Sequence, residues 1–281
     1  MLKSSPVKHF FEDPWRSANN FHCRSLKLWR HYTSSVNPAP ILIFGNQKSG
    51  TSAITALLGE ATRSSYTIDV YCHYLGLEKE MLQGKIETRK LLEIVRYHFS
   101  KVIIKDPGFI FFYEELNSHF PESKKVFIYR DPRQNIRSIL NRLNLPGHFH
   151  DLDQGSWEKL EAKFPGWYLV LEGSLAGHKG KTYIETLALR WRRVMETYFN
   201  NKIDFVPIRY ESFLSDKIGM IAHLAELLGL EVKENISPLK DLQFQPKGNK
   251  NISLEAFFGS KNLRIIEEIC GKIMIDVGYD L

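Results

Sequence analysis

The sequence is poor in cysteine and has no long apolar run. Its 281 residues include only 3 cysteines, Cys23, Cys72 and Cys270, too few and too widely spaced for a disulfide framework or a CxxC zinc site. Apolar windows such as Ile41–Phe44 are far shorter than the ~20 residues that a membrane helix needs. The first residues also lack the apolar stretch of a signal peptide. We therefore expect reduced thiols, no membrane span and a cytoplasmic protein.

Proline and excess charge are scarce as well. With 12 prolines, 25% charged residues and 43% apolar residues, the composition excludes collagen-like and disordered chains and is sufficient for a sizeable core. The net charge of +6 suits an anionic ligand, and no RNA-binding signature accompanies it. We expect a globular protein with no nucleic-acid partner.

What the sequence does contain is an alternation of short β-branched runs with helical patterns. The runs are Ile41–Phe44, Tyr66–Val70, Val102–Lys105, Lys125–Tyr129 and Ile203–Ile208. Apolar residues at helical spacing lie between and after them, most clearly over 183–199, where Thr182 is a ready N-cap, and over 216–228. This alternation predicts an α/β fold with a central parallel sheet flanked by helices.

Repeats and linkers that would divide the chain are absent from the sequence, so we expect one domain over residues 1–281. Residues 1–40 are predicted to be irregular. Residues 144–182, rich in glycine, histidine and aromatic side chains, are too many for a plain connection between helices. We predict that they form a helical or loop lid, a mobile cover over the site.

A glycine-containing turn follows the first apolar run. The segment from Gly45 to Ser52 reads GNQKSGTS and leads into an apolar helical pattern. Free N–H groups and the positive end of a helix dipole meet at such a turn, which predicts an anion site. Gly50 allows close approach of the backbone, and Lys48 adds a positive charge. The additional hydroxyl donors are Ser49, Thr51 and Ser52.

Two features of this turn limit its interpretation. It departs from the nucleoside-triphosphate loop GxxxxGK[ST], because Thr51 follows the second glycine and the lysine precedes it. A capped helix with a charged loop tip is the structural alternative.

A second anion-binding pattern follows the fourth run. Arg130 begins RDPR, in which Asp131 is placed to cap the next helix, and Ser138 lies two helical turns further on. A guanidinium fork with a neutral hydroxyl donor suits a phosphate monoester. Taken alone, the pattern is more typical of a basic amphipathic helix with a surface salt bridge.

KSGTS and YRDPR, with a serine eight residues after its first arginine, together resemble the sulfotransferase family. The first resembles the family's 5′-phosphosulfate loop (PKSGTT or RSGTT), and the second its 3′-phosphate motif. The resemblance implies a P-loop nucleoside-triphosphate-hydrolase-like fold. It also implies transfer of a sulfuryl group, without a metal, from 3′-phosphoadenosine 5′-phosphosulfate to a hydroxyl of a small-molecule, lipid or carbohydrate acceptor. The donor-binding residues it implies are Gln47, which stands where the family often has proline, Lys48, Ser49, Gly50, Thr51, Ser52, Arg130 and Ser138.

Three weaker matches follow the family's order along the chain, so that the resemblance extends from about residue 41 to 250. KVIIKDP resembles the third core strand and implies Lys105 at the transfer centre. RYES resembles a segment close to the adenine and implies a role for Tyr210. PKGNK resembles a loop over the 3′-phosphate and implies roles for Lys247 and Gly248.

The residue that removes the acceptor's proton stays open. The family's KxH is Lys105-Asp106-Pro107 here, without the histidine, whereas other branches use a carboxylate at the end of the second strand. Asp69 is therefore the first candidate, His73 the second and Asp106 the third, although Asp69 is equally suited to capping a turn and His73 to packing in a core. The resemblance implies that Lys48 neutralises the leaving group and Lys105 the transferring oxygens.

Two other functions fit parts of the sequence. A P-loop kinase would need a lysine after Gly50 and an acidic Mg²⁺ partner. A non-catalytic nucleotide-binding protein would keep the phosphate loops without a base.

Overall fold

The structure is a computed structural model that describes residues 29–30, 32–70, 76–174, 176–242 and 252–281. Three of the predicted site residues, His73, Lys247 and Gly248, lie outside these ranges.

A sheet of five parallel strands in the order β2-β3-β1-β4-β5 forms the centre of the described chain. The strands are β1 (Ile41–Gly45), β2 (Tyr66–Ile68), β3 (Ile103–Lys105), β4 (Lys124–Tyr129) and β5 (Phe205–Arg209). The predicted α/β fold with a central parallel sheet is thus confirmed.

Three strands are shorter than predicted, β3 by the single residue Val102. β2 ends at Ile68 because Asp69 adopts a left-handed conformation with φ 57°, which the pleat of a strand does not accommodate. β5 begins at Phe205, since residues 202–204 form a turn of 3₁₀ helix instead of extended chain.

Helices cover both faces of this sheet. In chain order they are α1 (Thr51–Thr62), α2 (Leu77–Leu82), α3 (Thr88–Ile94), α4 (Arg96–Phe99), α5 (Tyr113–His119), α6 (Pro132–Leu143), α7 (Gln154–Lys163), α8 (Pro165–Glu172), α9 (Tyr183–Asn200), α10 (Tyr210–Ser215), α11 (Lys217–Leu227) and α12 (Leu254–Asp276). A 3₁₀ helix (Pro107–Phe112) links β3 to α5. The helices in the described part of the chain are too short or too polar to cross a membrane.

The sheet separates two apolar clusters, as the alternation of side chains along β1 requires. Leu42 and Phe44 join the cluster that includes α9 and α12, whereas Ile41 and Ile43 join the one that includes α1 and α11. Leu42, Ile43 and Phe44 are fully buried, and burying side chains of this size stabilises a fold by roughly 1.5–3 kcal/mol each. β1 is therefore firmly held from both sides.

Both predicted N-caps are confirmed. The carboxylate of Asp131 accepts hydrogen bonds from Arg133 N at 2.8 Å and Gln134 N at 3.4 Å at the start of α6. Thr182 Oγ1 accepts one from Glu185 N at 3.2 Å at the start of α9. Each cap satisfies an N–H group that the helix itself leaves unbonded.

The predicted lid segment and the predicted irregular segment both contain helical residues in their described parts. The helices α7 and α8 both fall within residues 144–182, and their role as a lid stays a prediction. The prediction of an irregular segment over residues 1–40 is wrong for residues 29–30 and 32–33, which are helical.

Candidate functional site

Three central strands bring the predicted phosphate-binding residues to one edge of the sheet. In the register of the parallel pairs, Ile43 lies beside Lys105 and Gly45 beside Ile128. The turn after β1, the end of β3 and the start of RDPR after β4 therefore meet at the carboxyl ends of the strands. In open α/β sheets this edge is where ligands bind.

The turn after β1 has a strained but well-defined backbone. Ser49 N donates to Asn46 O at 3.2 Å, which closes a β-turn with Gln47 and Lys48 in its central positions. Lys48 has φ 65°, whereas Gln47 is not among the residues with positive φ, as in a type II turn. Left-handed backbone at a lysine costs free energy, so other contacts must hold this turn in place.

Gly50 carries the chain from this turn into α1. It adopts φ 92° at the N-cap position, and a Cβ on it would overlap the ring of Tyr210. The first N–H groups of α1 have no partner within the helix. These groups and the helix dipole provide the geometry that an anionic oxygen requires.

The ammonium group of Lys48 lies among other cations. Burial and, to a smaller extent, the charges of Arg142, Arg130 and Lys105 together lower the pKa of Lys48 to about 8, against an opposing effect of Asp69. A group of positive charges beside a helix N-terminus attracts anions strongly.

Arg130 contacts both the turn and Tyr210. Its NH1 donates to Lys48 O at 2.9 Å, and its guanidinium lies over the Tyr210 ring at 4.7 Å. Burial lowers the pKa of Arg130. Ser138 is partly buried on α6, two turns after Asp131.

Two of the residues predicted to be catalytic, Lys105 and Asp69, form an ion pair. The Lys105 side chain is only 3% exposed and its ammonium also donates to Ser52 Oγ at 3.2 Å, whereas the Asp69 side chain is 39% exposed. Asp69 N donates to Lys105 O at 2.8 Å, which extends the β2–β3 pairing by one bond. Lys105 thus links α1 to a carboxylate that solvent can reach.

Asp106, the third candidate base, has a structural contact. Its Oδ1 accepts a hydrogen bond from Gly108 N at 2.7 Å and caps the 3₁₀ helix, and the residue is 4% exposed. A carboxylate in this position is less accessible to a substrate hydroxyl than Asp69.

The side chains that support the turn were not predicted from the sequence. Asn135 on α6 donates to Gln47 O at 2.8 Å and to Ser49 Oγ at 3.0 Å, and accepts from Asn46 Nδ2 at 3.0 Å. Arg190 on α9 donates to the side-chain oxygens of Asn46 and Gln47.

Trp191, the next residue on α9, supports the neighbouring segment. Its Nε1 donates to Arg130 O at 2.9 Å. One feature of the sequence could have indicated Arg190. It is a charged residue within the apolar stripe of α9, three residues after Leu187 and four before Val194.

A further carboxyl group, Glu78 on α2, was also missed. Burial raises the pKa of Glu78; the Arg190 charge lowers it and the Asp69 charge raises it. The sequence LEKE around Glu78 is typical of a solvated helix face, so it gave no signal of a partly buried acid close to the site.

Phe111 lines a cavity of about 580 Å³. The Phe111 ring lies under the Arg190 guanidinium at 4.5 Å and stacks on His178 at 5.8 Å. Burial lowers the pKa of His178 to about 3. The apolar residues that line the cavity include Met81, Leu82, Ile86, Phe111 and Phe112.

Within the described ranges, no group of three or more histidine, cysteine, aspartate or glutamate side chains could hold a metal ion. Cys270 is a free, buried thiol.

Solved sulfotransferases share this fold. Sulfotransferase STF9 from Mycobacterium avium is similar with a TM-score of 0.53 and 11% identity, over 99% of this chain and 88% of that chain. STF1 from Mycobacterium tuberculosis H37Rv gives a TM-score of 0.49 and 15% identity, over 95% and 86%. Mouse SULT7A1, whose structure is a complex with PAP, gives 0.47 and 15%, over 88% and 87%. No protein-family model and no curated protein matches the sequence. The similarity to STF9 confirms the resemblance to sulfotransferases at the level of the fold.

Proposed function

We propose that the chain is a sulfotransferase that uses 3′-phosphoadenosine 5′-phosphosulfate and a hydroxylated acceptor of the small-molecule, lipid or carbohydrate class. The observation that carries this proposal is the position of Lys48. Its ammonium lies among Arg130, Arg142 and Lys105 beside the N-terminus of α1. This arrangement of positive charges is more favourable with an anion bound than in the unliganded protein.

The residues around the turn fit a nucleotide with two phosphate groups. N–H groups of the turn and of α1, with the hydroxyls of Ser49, Thr51 and Ser52, would bind the 5′-phosphate. Arg130 and Ser138 would bind the 3′-phosphate, for which a guanidinium fork and a neutral donor are well matched. Tyr210, which already lies under Arg130, would contact the adenine.

Catalysis would rest on position and charge. When bound, the donor supplies an activated sulfuryl group, which forms a bond to the acceptor oxygen as its bond to the 5′-phosphate oxygen breaks. Lys48 would neutralise the charge that develops on the leaving phosphate. Lys105 would turn from Asp69 towards the transferring oxygens, since it is held in reach of both α1 and β2.

Asp69 is our choice for the proton acceptor. Its carboxylate is paired with Lys105 and its side chain is 39% exposed, so an acceptor hydroxyl entering from solvent can reach it. His73 remains the second candidate. Asp106 is disfavoured because it caps the 3₁₀ helix.

The acceptor would enter beside the cavity lined by Phe111. We propose that residues 144–182 cover this side of the site and exclude water, since hydrolysis of an activated sulfate competes with transfer. The aromatic residues of α7 and α8 would contact the acceptor and set its choice.

The proposal is tested by calorimetry with 3′-phosphoadenosine 5′-phosphate in the absence of Mg²⁺, followed by a screen of labelled sulfate donor against hydroxylated metabolites, lipids and glycans. We expect binding and transfer by the wild type, and loss of transfer in Lys48→Ala but not in Lys261→Ala, a lysine exposed on α12. Binding without transfer to any acceptor would favour a non-catalytic nucleotide-binding protein. Turnover of ATP that needs Mg²⁺, without binding of the sulfated nucleotide, would favour a kinase.

A further inference from the structure

Arg190 makes an unusual set of contacts for a residue on a core helix. It is 2% exposed on α9, and its three described hydrogen bonds all go to the phosphate-binding turn. Nε donates to Asn46 Oδ1 at 3.1 Å and to Gln47 Oε1 at 2.9 Å, and NH2 donates to Gln47 Oε1 at 2.6 Å. The guanidinium is supported from below by the Phe111 ring. Burying this charge costs free energy. The hydrogen bonds of the guanidinium group must therefore offset that cost.

Gln47, which receives two of these three bonds, occupies the first central position of the turn. In a type II turn this position requires φ near −60°, and proline is common there because its ring fixes that angle in advance. Glutamine does not fix it. The next residue, Lys48, has the left-handed conformation with φ 65°, so the turn has an unfavourable second position and no covalent restraint at the first.

We propose that Arg190 is a positioning residue that holds the Gln47 side chain and thereby keeps the strained turn, with Lys48, in its anion-binding conformation. The Arg190–Gln47 pair does by charge-assisted hydrogen bonding what a proline ring would do covalently. Asn135 on α6 and Arg130, the residue after β4, donate hydrogen bonds to the carbonyl groups of Gln47 and Lys48. The Arg190–Gln47 pair adds a third contact that supports the turn.

A neighbouring arginine on the same helix distinguishes positioning from general packing. Arg193 also lies over Phe111, at 5.9 Å, but its described hydrogen bond goes to Gly177 O at 3.3 Å and not to the turn. Arg193→Gln is therefore the matched control for Arg190→Gln.

Amide hydrogen exchange of Ser49 tests the proposal directly, because this N–H closes the turn onto Asn46 O. We expect Gln47→Ala and Arg190→Gln each to speed this exchange about tenfold, with β1 amides unchanged. Gln47→Pro should retain wild-type protection, and adding Arg190→Gln to it should change the rate less than twofold, since the ring then replaces the pair. Arg193→Gln should leave Ser49 unchanged.

Several results would overturn this role. Ser49 exchange within twofold of wild type in Gln47→Ala, or an equal acceleration in Arg193→Gln, would show that Arg190 only packs. Arg190→Gln leaves the charges of Glu78 and Asp106 without this partner; if it does not fold, Gln47→Ala and Gln47→Pro decide the question by themselves.

The nucleotide consequence rests on the proposed function and is measured separately. Affinity for 3′-phosphoadenosine 5′-phosphate should fall about tenfold in Gln47→Ala and return in Gln47→Pro. If the wild type binds no nucleotide while Ser49 exchange responds as expected, the proposed function fails and the positioning role stands. If the wild type binds the nucleotide and Ser49 exchange does not respond to the substitutions, the positioning role fails and the proposed function stands.

Discussion

Binding of a phosphorylated nucleotide should be linked to protonation of Lys48. Burial and the neighbouring cations keep the pKa of this ammonium at about 8 in the unliganded protein. A bound dianion would restore the pKa towards the ordinary value of about 10.4. The group is charged in the complex across the whole neutral range, but it loses its proton in the free protein as the pH rises through 8.

The size of the effect follows from these two values. At pH 7 the free protein is about 90% protonated at Lys48, and at pH 9 about 10%, so binding at pH 9 takes up about 0.9 proton. The dissociation constant should therefore rise about tenfold between pH 7 and pH 9, which is about 1.4 kcal/mol.

Calorimetry with 3′-phosphoadenosine 5′-phosphate at pH 9 is done in buffers of different ionisation enthalpy. The slope of the observed binding enthalpy against the ionisation enthalpy of the buffer measures the proton uptake. Lys48→Arg is the matched control, because its guanidinium stays charged at pH 9 and its slope should be near zero. A slope near zero in the wild type, or the same pH profile in both proteins, would refute the linkage and with it the cationic environment on which the proposed function depends.

Three further predictions concern other parts of the site. Arg130→Ala should weaken binding of 3′-phosphoadenosine 5′-phosphate about 100-fold and Ser138→Ala about fivefold, with adenosine 5′-phosphate affected much less; equal losses for both nucleotides would show that neither residue recognises the 3′-phosphate. Asp69→Asn should lower kcat by about 10²–10⁴ with nucleotide affinity nearly unchanged, and near wild-type turnover would exclude Asp69 as the base. The pKa of His178 is lowered to about 3, so the folded state holds it neutral and the free energy of unfolding should fall as the pH drops from 6.5 towards 3. Denaturant titrations at pH 7 and 4.5 should differ by about 2–3 kcal/mol more in the wild type than in His178→Gln, and identical differences would refute this assignment.

The sequence was informative where a local pattern has a local cause. The run ILIFG predicts a buried strand because each of its side chains is apolar, and Asp131 and Thr182 predict helix starts because a side-chain oxygen next to unbonded N–H groups needs no distant partner. The structure confirms all three.

The sequence was less informative where contacts between residues far apart in the chain determine the local structure. β2 ends one residue before Asp69, whose carboxylate meets Lys105 from the neighbouring strand. Arg190 and Gln47 are 143 positions apart, so neither pattern alone indicated the other. The stripe on α9 predicts a packed helix correctly, but it does not show that one member of the stripe carries a charge to the turn.

The distance between Gln47 and Arg190 along the chain bears on how the protein matures during synthesis. The turn, β1 and α1 leave the ribosome early, but Arg190 follows 143 residues later. At translation rates of roughly 5–20 residues per second, this delay is on the order of 7–30 s. Throughout this interval the nascent chain has its phosphate-binding sequence without the helix that supports it. We expect a truncated chain that ends before α9 to contain every residue of the KSGTS motif and still to lack a formed anion site.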